Sequence, residues 1–176
     1  SDFRELRECR TELVMLKHLW DLATHVKMMF GDWMQSTFKT VDADSFVEEI
    51  KKSIRKQLSS QPAKVRAWDC FKGLEEEVKN MEKALPLCAE LREDAMRDRH
   101  WQQLLTATKQ TGTINPNAED FTLEKLISLG LHKYVDDVSN IVEKARKELS
   151  IEKALKKIID PWEKMSFTYD FNEGLG

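Results

Sequence analysis

Apolar residues recur at helical spacing across residues 2–33, and this constrains the fold more than any other feature of the chain. Met15, Leu19, Leu22, Val26, Met29 and Trp33 step by threes and fours, which places them on one helix face. Leu6, Leu13, Leu16, Trp20 and Ala23 form a second stripe beside the first. A helix apolar on two adjacent stripes packs against more than one neighbour. Gly31 is expected to weaken or bend it near its end. Only 6 Gly and 4 Pro occur among 176 residues, and 34% of residues are charged. Few breakers and many charges favour long, solvent-facing helices.

The pattern continues downstream. Ser45 with Glu48 fits a capping box. The helix it opens carries Phe46, Ile50, Ile54 and Leu58 and stops at the "SSQP" ending in Pro62. Trp68, Phe71, Leu74, Val78, Met81 and Leu85 predict another helix, interrupted at Pro86. A helical stretch through "LREDAMRDRHWQQLL" leads to the loop "TGTINPNAED" at 111–120. Thr122 suits an N-cap, with Phe121 and Leu126 as a hydrophobic staple and Gly130 closing the short helix. A last long helix starts near Tyr134 through Val138, Val142, Ala145 and Leu149. Ile151, Leu155, Ile158 and Trp162 continue it with a phase slip, and Pro161 is expected to kink or end it. Phe167, Tyr169 and Phe171 alternate with polar residues, a short strand pattern with no visible partner strand. The expected fold is therefore all-α, an elongated multi-helix bundle with that short strand at its C-terminal end. Ser1 lies inside a charged helical pattern and Gly176 follows no terminating signal, so a segment of a longer protein is expected.

Composition excludes several functions. Lys and Arg number 28 against 31 Asp and Glu, so no net basic face for nucleic acid is expected. Cys9, Cys70 and Cys88 are widely spaced, which argues against a disulfide framework or a zinc site. No apolar run approaches the roughly 18 residues that span a membrane. No phosphate-binding glycine loop or nucleophile elbow is present. His18 and His25 share a helix face about 10 Å apart, too far for one metal ion. No catalytic residue, cofactor or metal is expected. Trp20, Trp33, Trp68, Trp101 and Trp162 lie on or beside apolar stripes and are expected to anchor helices, each burying on the order of 200 Å².

"LPLCAELREDAMRDRHWQQL" and "FTLEKLISLGLHKYVDDVSNIVEKARKELSIEKALKKIIDPWEKMSFTY" carry a resemblance. The first holds L-P-L before A-M-R-x-R-H-W. The second holds a T-L-x-x-L helix, I-V-x-K-A-x-K-E, and I-E-K-x-L-x-x-I before a tryptophan. Over residues 85–169 the chain resembles the start of the linker of dynein heavy chains. "HLWDLATHVKMMFGDWMQSTF" is similar to the helical region before the linker in axonemal heavy chains, with wording most like an outer-arm beta-type chain. Pro161 departs from the family pattern.

The resemblance implies a tail or neck segment over 1–84 and the N-terminal part of the linker over 85–176. It implies a mechanical, non-catalytic segment of a ciliary or flagellar motor, joining the tail to the linker that transmits an ATP-driven stroke along microtubules. Its partners would be the remainder of the heavy chain, including its ATPase ring, and other dynein chains, with no nucleic acid, membrane or direct microtubule contact. The location would be the cytoplasm and the axoneme. Arg97, Arg99, His100 and Trp101 would form a structural motif. His100 is expected buried, and the two arginines paired with acids of adjacent helices. Two other readings compete: a helical scaffold binding a partner helix or light chain, and an enzyme with polar groups converging on His100.

Overall fold

The computed structural model describes residues 1–173, with side-chain environments through residue 165. Seven α-helices are found among them: α1 (Asp2–Met34), α2 (43–59), α3 (Ala63–Arg66), α4 (Asp69–Leu91), α5 (Asp98–Ala107), α6 (Leu123–Ile127) and α7 (Val135–Glu173). The middle of α2, Ile50–Ile54, is a π-helical turn. Ile50, Ile54 and Leu58 all remain buried across it. Apolar residues spaced by four drift about 40° per step around a regular α-helix, and the wider turn offsets part of that drift.

One core joins these elements. Leu19, Val26 and Phe30 of α1 belong to the same buried cluster as the inner face of α4, the buried side of α5, and Val138 and Val142 of α7. Helix α4 contributes most, through Phe71, Leu74, Val78, Leu85, Cys88 and Leu91. Arg92, just after α4, fastens the α1–α2 connection. Its guanidinium donates to the carbonyl of Lys39 at 2.8 Å and to that of Val41. Gly130 adopts φ +73°, the left-handed conformation that lets the chain leave α6 without a Cβ clash. Thr122 precedes α6, and Phe121 and Leu126 are both buried around it.

Four expectations are corrected. The first turn of α2 is capped by Asp42, whose Oδ1 accepts from the Ser45 N–H at 3.1 Å. Ser45 is thus inside the helix, and Glu48 pairs with Lys52 one turn on. The box was displaced because the aspartate three residues earlier offers the stronger, charged acceptor. Helix α4 runs through Pro86, not up to it. The ring of Pro86 is exposed while Ala84, Leu85, Leu87 and Cys88 are buried around it. Burial of those side chains outweighs one lost backbone hydrogen bond. Helix α7 likewise continues past Asp160-Pro161, so of the expected kink or end it is the end that is overturned. In that stretch the side chains are exposed, so water can satisfy the freed carbonyl. Finally, the strand expected at 166–171 is helix, the end of α7. A lone strand has no partner for its backbone groups, whereas a helix satisfies them internally. Among the described residues the nearest thing to a sheet is the isolated bridge Thr37–Thr122.

Candidate functional site

Helix α5 presents two working faces, built from consecutive residues of the "RDRHW" motif. It starts after Arg97, whose extended backbone leaves its N–H free to be capped. His100, three residues on, turns its Nδ1 back and accepts that N–H at 3.0 Å. A ring nitrogen that accepts carries no proton, so Nε2 is the donor. It gives its hydrogen bond to Glu148 Oε2 on α7 at 2.8 Å. The imidazole is 0% exposed, and both nitrogens are used. One tautomer fits these two bonds. Only half of a capping box is formed, because an arginine side chain at the N-cap has no acceptor to return.

The arginines extend this joint outward. Arg99 Nε donates to the same Glu148 oxygen at 2.9 Å, and Arg97 pairs with Glu152 one turn along α7 at 3.1 Å. Arg99 also approaches Glu152 at 3.7 Å. Ahead of α5, Glu93 accepts a forked pair from Arg146 of α7, with Nε at 2.7 Å. Two carboxylates of α7 and one of its arginines thus face two arginines, one neutral imidazole and one acid on the α4–α5 side. The Arg99 guanidinium, joined by the His100 hydrogen bond, holds the Glu148 carboxyl below the usual range despite some desolvation. Arg146 does the same to Glu93.

Trp101 points the other way. It is 2% exposed and meets Phe38 and Phe121 edge-on, with centroids at 5.8 and 6.3 Å. Phe38 and Phe121 are themselves edge-on at 5.3 Å. The Phe38 N–H donates to the Phe121 carbonyl at 2.9 Å, and the Leu123 N–H to that of Ser36 at 3.0 Å. Trp101 therefore fixes the loop after α1 against the start of α6, while His100 and the arginines fix α5 against α7. Helix α5 ties both ends of the domain to one short element.

The remaining tryptophans divide. Trp33 is half-buried and stacked on Phe46 at 4.5 Å. Trp68 is half-buried against the core. Trp20 is 64% and Trp162 is 70% exposed. Sequence reasoning missed Glu93, Arg146, Glu148 and Glu152 as partners, and Phe38 and Phe121 as the aromatic pair. Glu148 stands inside the quoted I-V-x-K-A-x-K-E pattern, and that was the available signal. Among the described residues no group of three or more His, Cys, Asp or Glu could hold a metal ion. No helix there is long and apolar enough to cross a membrane.

The result is a helical bundle tied by polar pairs between α5 and α7, with apolar residues exposed on α1 and α7. Comparison with known proteins identifies the family. The dynein heavy chain, N-terminal region 2, matches residues 6–174, and the chain belongs to the dynein heavy chain family. A ciliary dynein beta chain of Tripneustes gratilla is 39% identical over 169 residues, 96% of this chain and 4% of the relative. The flagellar outer-arm alpha chain of Chlamydomonas reinhardtii is 39% identical over 164 residues, 93% of this chain and 4% of its own length. The outer-arm beta chain of the same alga is 40% identical over 167 residues, 95% and 4%. The chain thus spans 4% of the length of each of these relatives. The similarity also covers residues 39–84, between the stretches that carried the resemblance.

Proposed function

We propose that this chain is a non-catalytic, force-bearing connector of an axonemal dynein heavy chain, located in a cilium or flagellum. Residues 1–84 are its tail or neck side and residues 85–176 begin the linker that carries the ATP-driven stroke. Its partners are the rest of the heavy chain, including the ATPase ring, and other dynein chains. It needs no cofactor and touches neither nucleic acid, membrane nor microtubule directly.

The observation that carries this reading is the way α7 is held. Its first half is clamped to α4 and α5 by Val138, Val142 and the Glu148–Glu152 pairs. Its second half then leaves the core. Ile151, Leu155, Ile158, Trp162 and Met165 step by four, three, four and three, and all are exposed. This second stripe starts where the buried one ends, turned by about 130° around the helix. A helix clamped at one end and apolar at the other, on a different face, suits transmission of a displacement from one packed unit to the next. The closed environment of His100 supports a packing role over a catalytic one.

The test is to place the segment in the intact motor. A compact tag in the exposed 111–120 loop of the full heavy chain, imaged by electron microscopy, should appear where the tail meets the linker, outside the ATPase ring. A tag on the ring or along the stalk would contradict the assignment.

A further inference from the structure

Exposed large apolar residues are not scattered over this molecule: those found lie in residues 3–28 of α1 and 151–165 of α7. On α1, Leu6, Leu13, Leu16 and Trp20 of these fall on a regular seam, while Phe3, Val14 and Met28 lie off it. Leu6, Cys9, Leu13, Leu16, Trp20 and Ala23 alternate steps of three and four, the heptad spacing by which two helices pack along a line. Leu6, Cys9, Leu13, Leu16 and Trp20 are exposed. The seam ends in a groove of about 240 Å³ between α1 and α4, lined by Trp20, Ala23, Cys70, Gly73 and Leu74. No atom stands within 4 Å of a Cβ built on Gly73, so another backbone can approach closely there.

The residues flanking the seam indicate what covers it. Glu5 and Glu12 border one side, and Arg10 and Lys17 border the other. Glu12 is held by Lys64 of α3, so the acidic flank is the one against which the domain stands. Arg10 and Lys17 have no ion-pair partner among the described residues. An antiparallel second copy would bring Arg10 against Lys17, like against like. A parallel second copy would pair Glu12 with the other Lys17, but Glu12 is taken and α3 occupies that flank. The occupant is therefore a different helix, acidic where it meets Arg10 and Lys17.

We propose that the Leu6–Trp20 seam is covered by an antiparallel helix from the heavy-chain segment immediately upstream of Ser1, whose end seats in the groove at Cys70 and Gly73. A helix joined to α1 by a short turn folds back antiparallel. The relatives carry about 96% of their length outside the matched region, so this segment has further heavy chain to pack against. The proposal rests on the connector reading and adds the identity of one neighbour.

Native cysteines report on it. Cys9 lies on the seam and Cys70 in the groove, and both are exposed here. Cys88 is buried, its thiol pushed up to about 12 by desolvation, and serves as the folding control. In the intact heavy chain a brief iodoacetamide pulse, read by mass spectrometry, should alkylate Cys9 at least about tenfold more slowly than in the urea-unfolded chain. An amine-reactive cross-linker should join Lys17 to a residue upstream of Ser1 in the same polypeptide. Leu13→Glu should restore Cys9 alkylation while Cys88 stays protected. Cys9 reacting at the unfolded rate in the intact chain would overturn the proposal. So would cross-links from Lys17 to a light chain, or between the Lys17 residues of two copies. Either failure would leave the tag position, and so the connector reading, intact.

Discussion

His100 of α5 donates from Nε2 to Glu148 of α7 at 2.8 Å, while its other nitrogen caps the first turn of its own helix. One buried ring thus couples the formation of α5 to its docking on α7. If the dock opens, the ring loses its acceptor in a site closed to water. If the helix frays, the ring loses its orientation toward Glu148.

His100→Ala removes the cap acceptor and leaves a cavity in a closed site. The expected loss of unfolding free energy is about 2–4 kcal/mol, from an unsatisfied N–H together with lost packing. Urea denaturation of the segment measures it. An unchanged midpoint would contradict the coupling.

Trp101→Ala opens the triangle with Phe38 and Phe121 and should cost about 3–5 kcal/mol. Trp101→Phe keeps an edge-on ring and should cost clearly less. Because the tryptophan holds two loops, amide hydrogen exchange at 36–38 and 121–123 should accelerate in the alanine variant before exchange in α4 does. Uniform acceleration would mean that Trp101 is ordinary core and not a local fastening.

Pro86→Ala tests the continuous helix. The ring is solvent-facing and interrupts the backbone ladder of α4. Alanine restores a donor for the carbonyl of Glu82, so stability should rise, by at most about 3 kcal/mol. A loss of stability would show that the packing of Leu85 and Leu87 depends on the bend imposed by proline.

Acid should loosen the α5–α7 joint. Glu148 and Glu93 are both lowered, by Arg99 and Arg146 respectively. A carboxyl with a lowered folded value contributes its stability above the ordinary glutamate value, near about 4.3, and loses it as pH falls through the folded value. The melting temperature should therefore hold from neutral pH down to about 5 and decline below about 4. Glu148→Gln combined with Glu93→Gln should flatten that acid limb. An unchanged acid limb would show that other carboxylates set it.

The sequence made the helical class plain, because α1, α4 and α7 carry long apolar stripes at threes and fours that no strand can use. It also showed where α6 begins and ends, since Phe121, Leu126 and Gly130 act through local geometry. What remained hidden was long-range. Phe38 lies in a connection with no periodicity, and its pairing with Trp101 is 63 positions away. Glu148 resembles any other acid on a charged helix until His100 is seen to have no other partner for Nε2. Pro86 and the 166–171 alternation misled for one reason: local propensity was read without the burial, or the missing strand partner, that overrules it. The exposure of Trp20 and Trp162 had no sequence signal, because an uncovered apolar stripe reads the same as a covered one.

The central claim is that this segment carries force and performs no chemistry. It is tested most directly by the ratio of microtubule gliding velocity to ATP turnover in the intact motor bearing Arg99→Ala with Glu148→Gln. The account predicts turnover within about twofold of the unmodified motor and gliding slowed severalfold, because the ring is untouched while the α5–α7 clamp is loosened. Turnover falling in step with velocity, or velocity unchanged with the clamp removed, would contradict it.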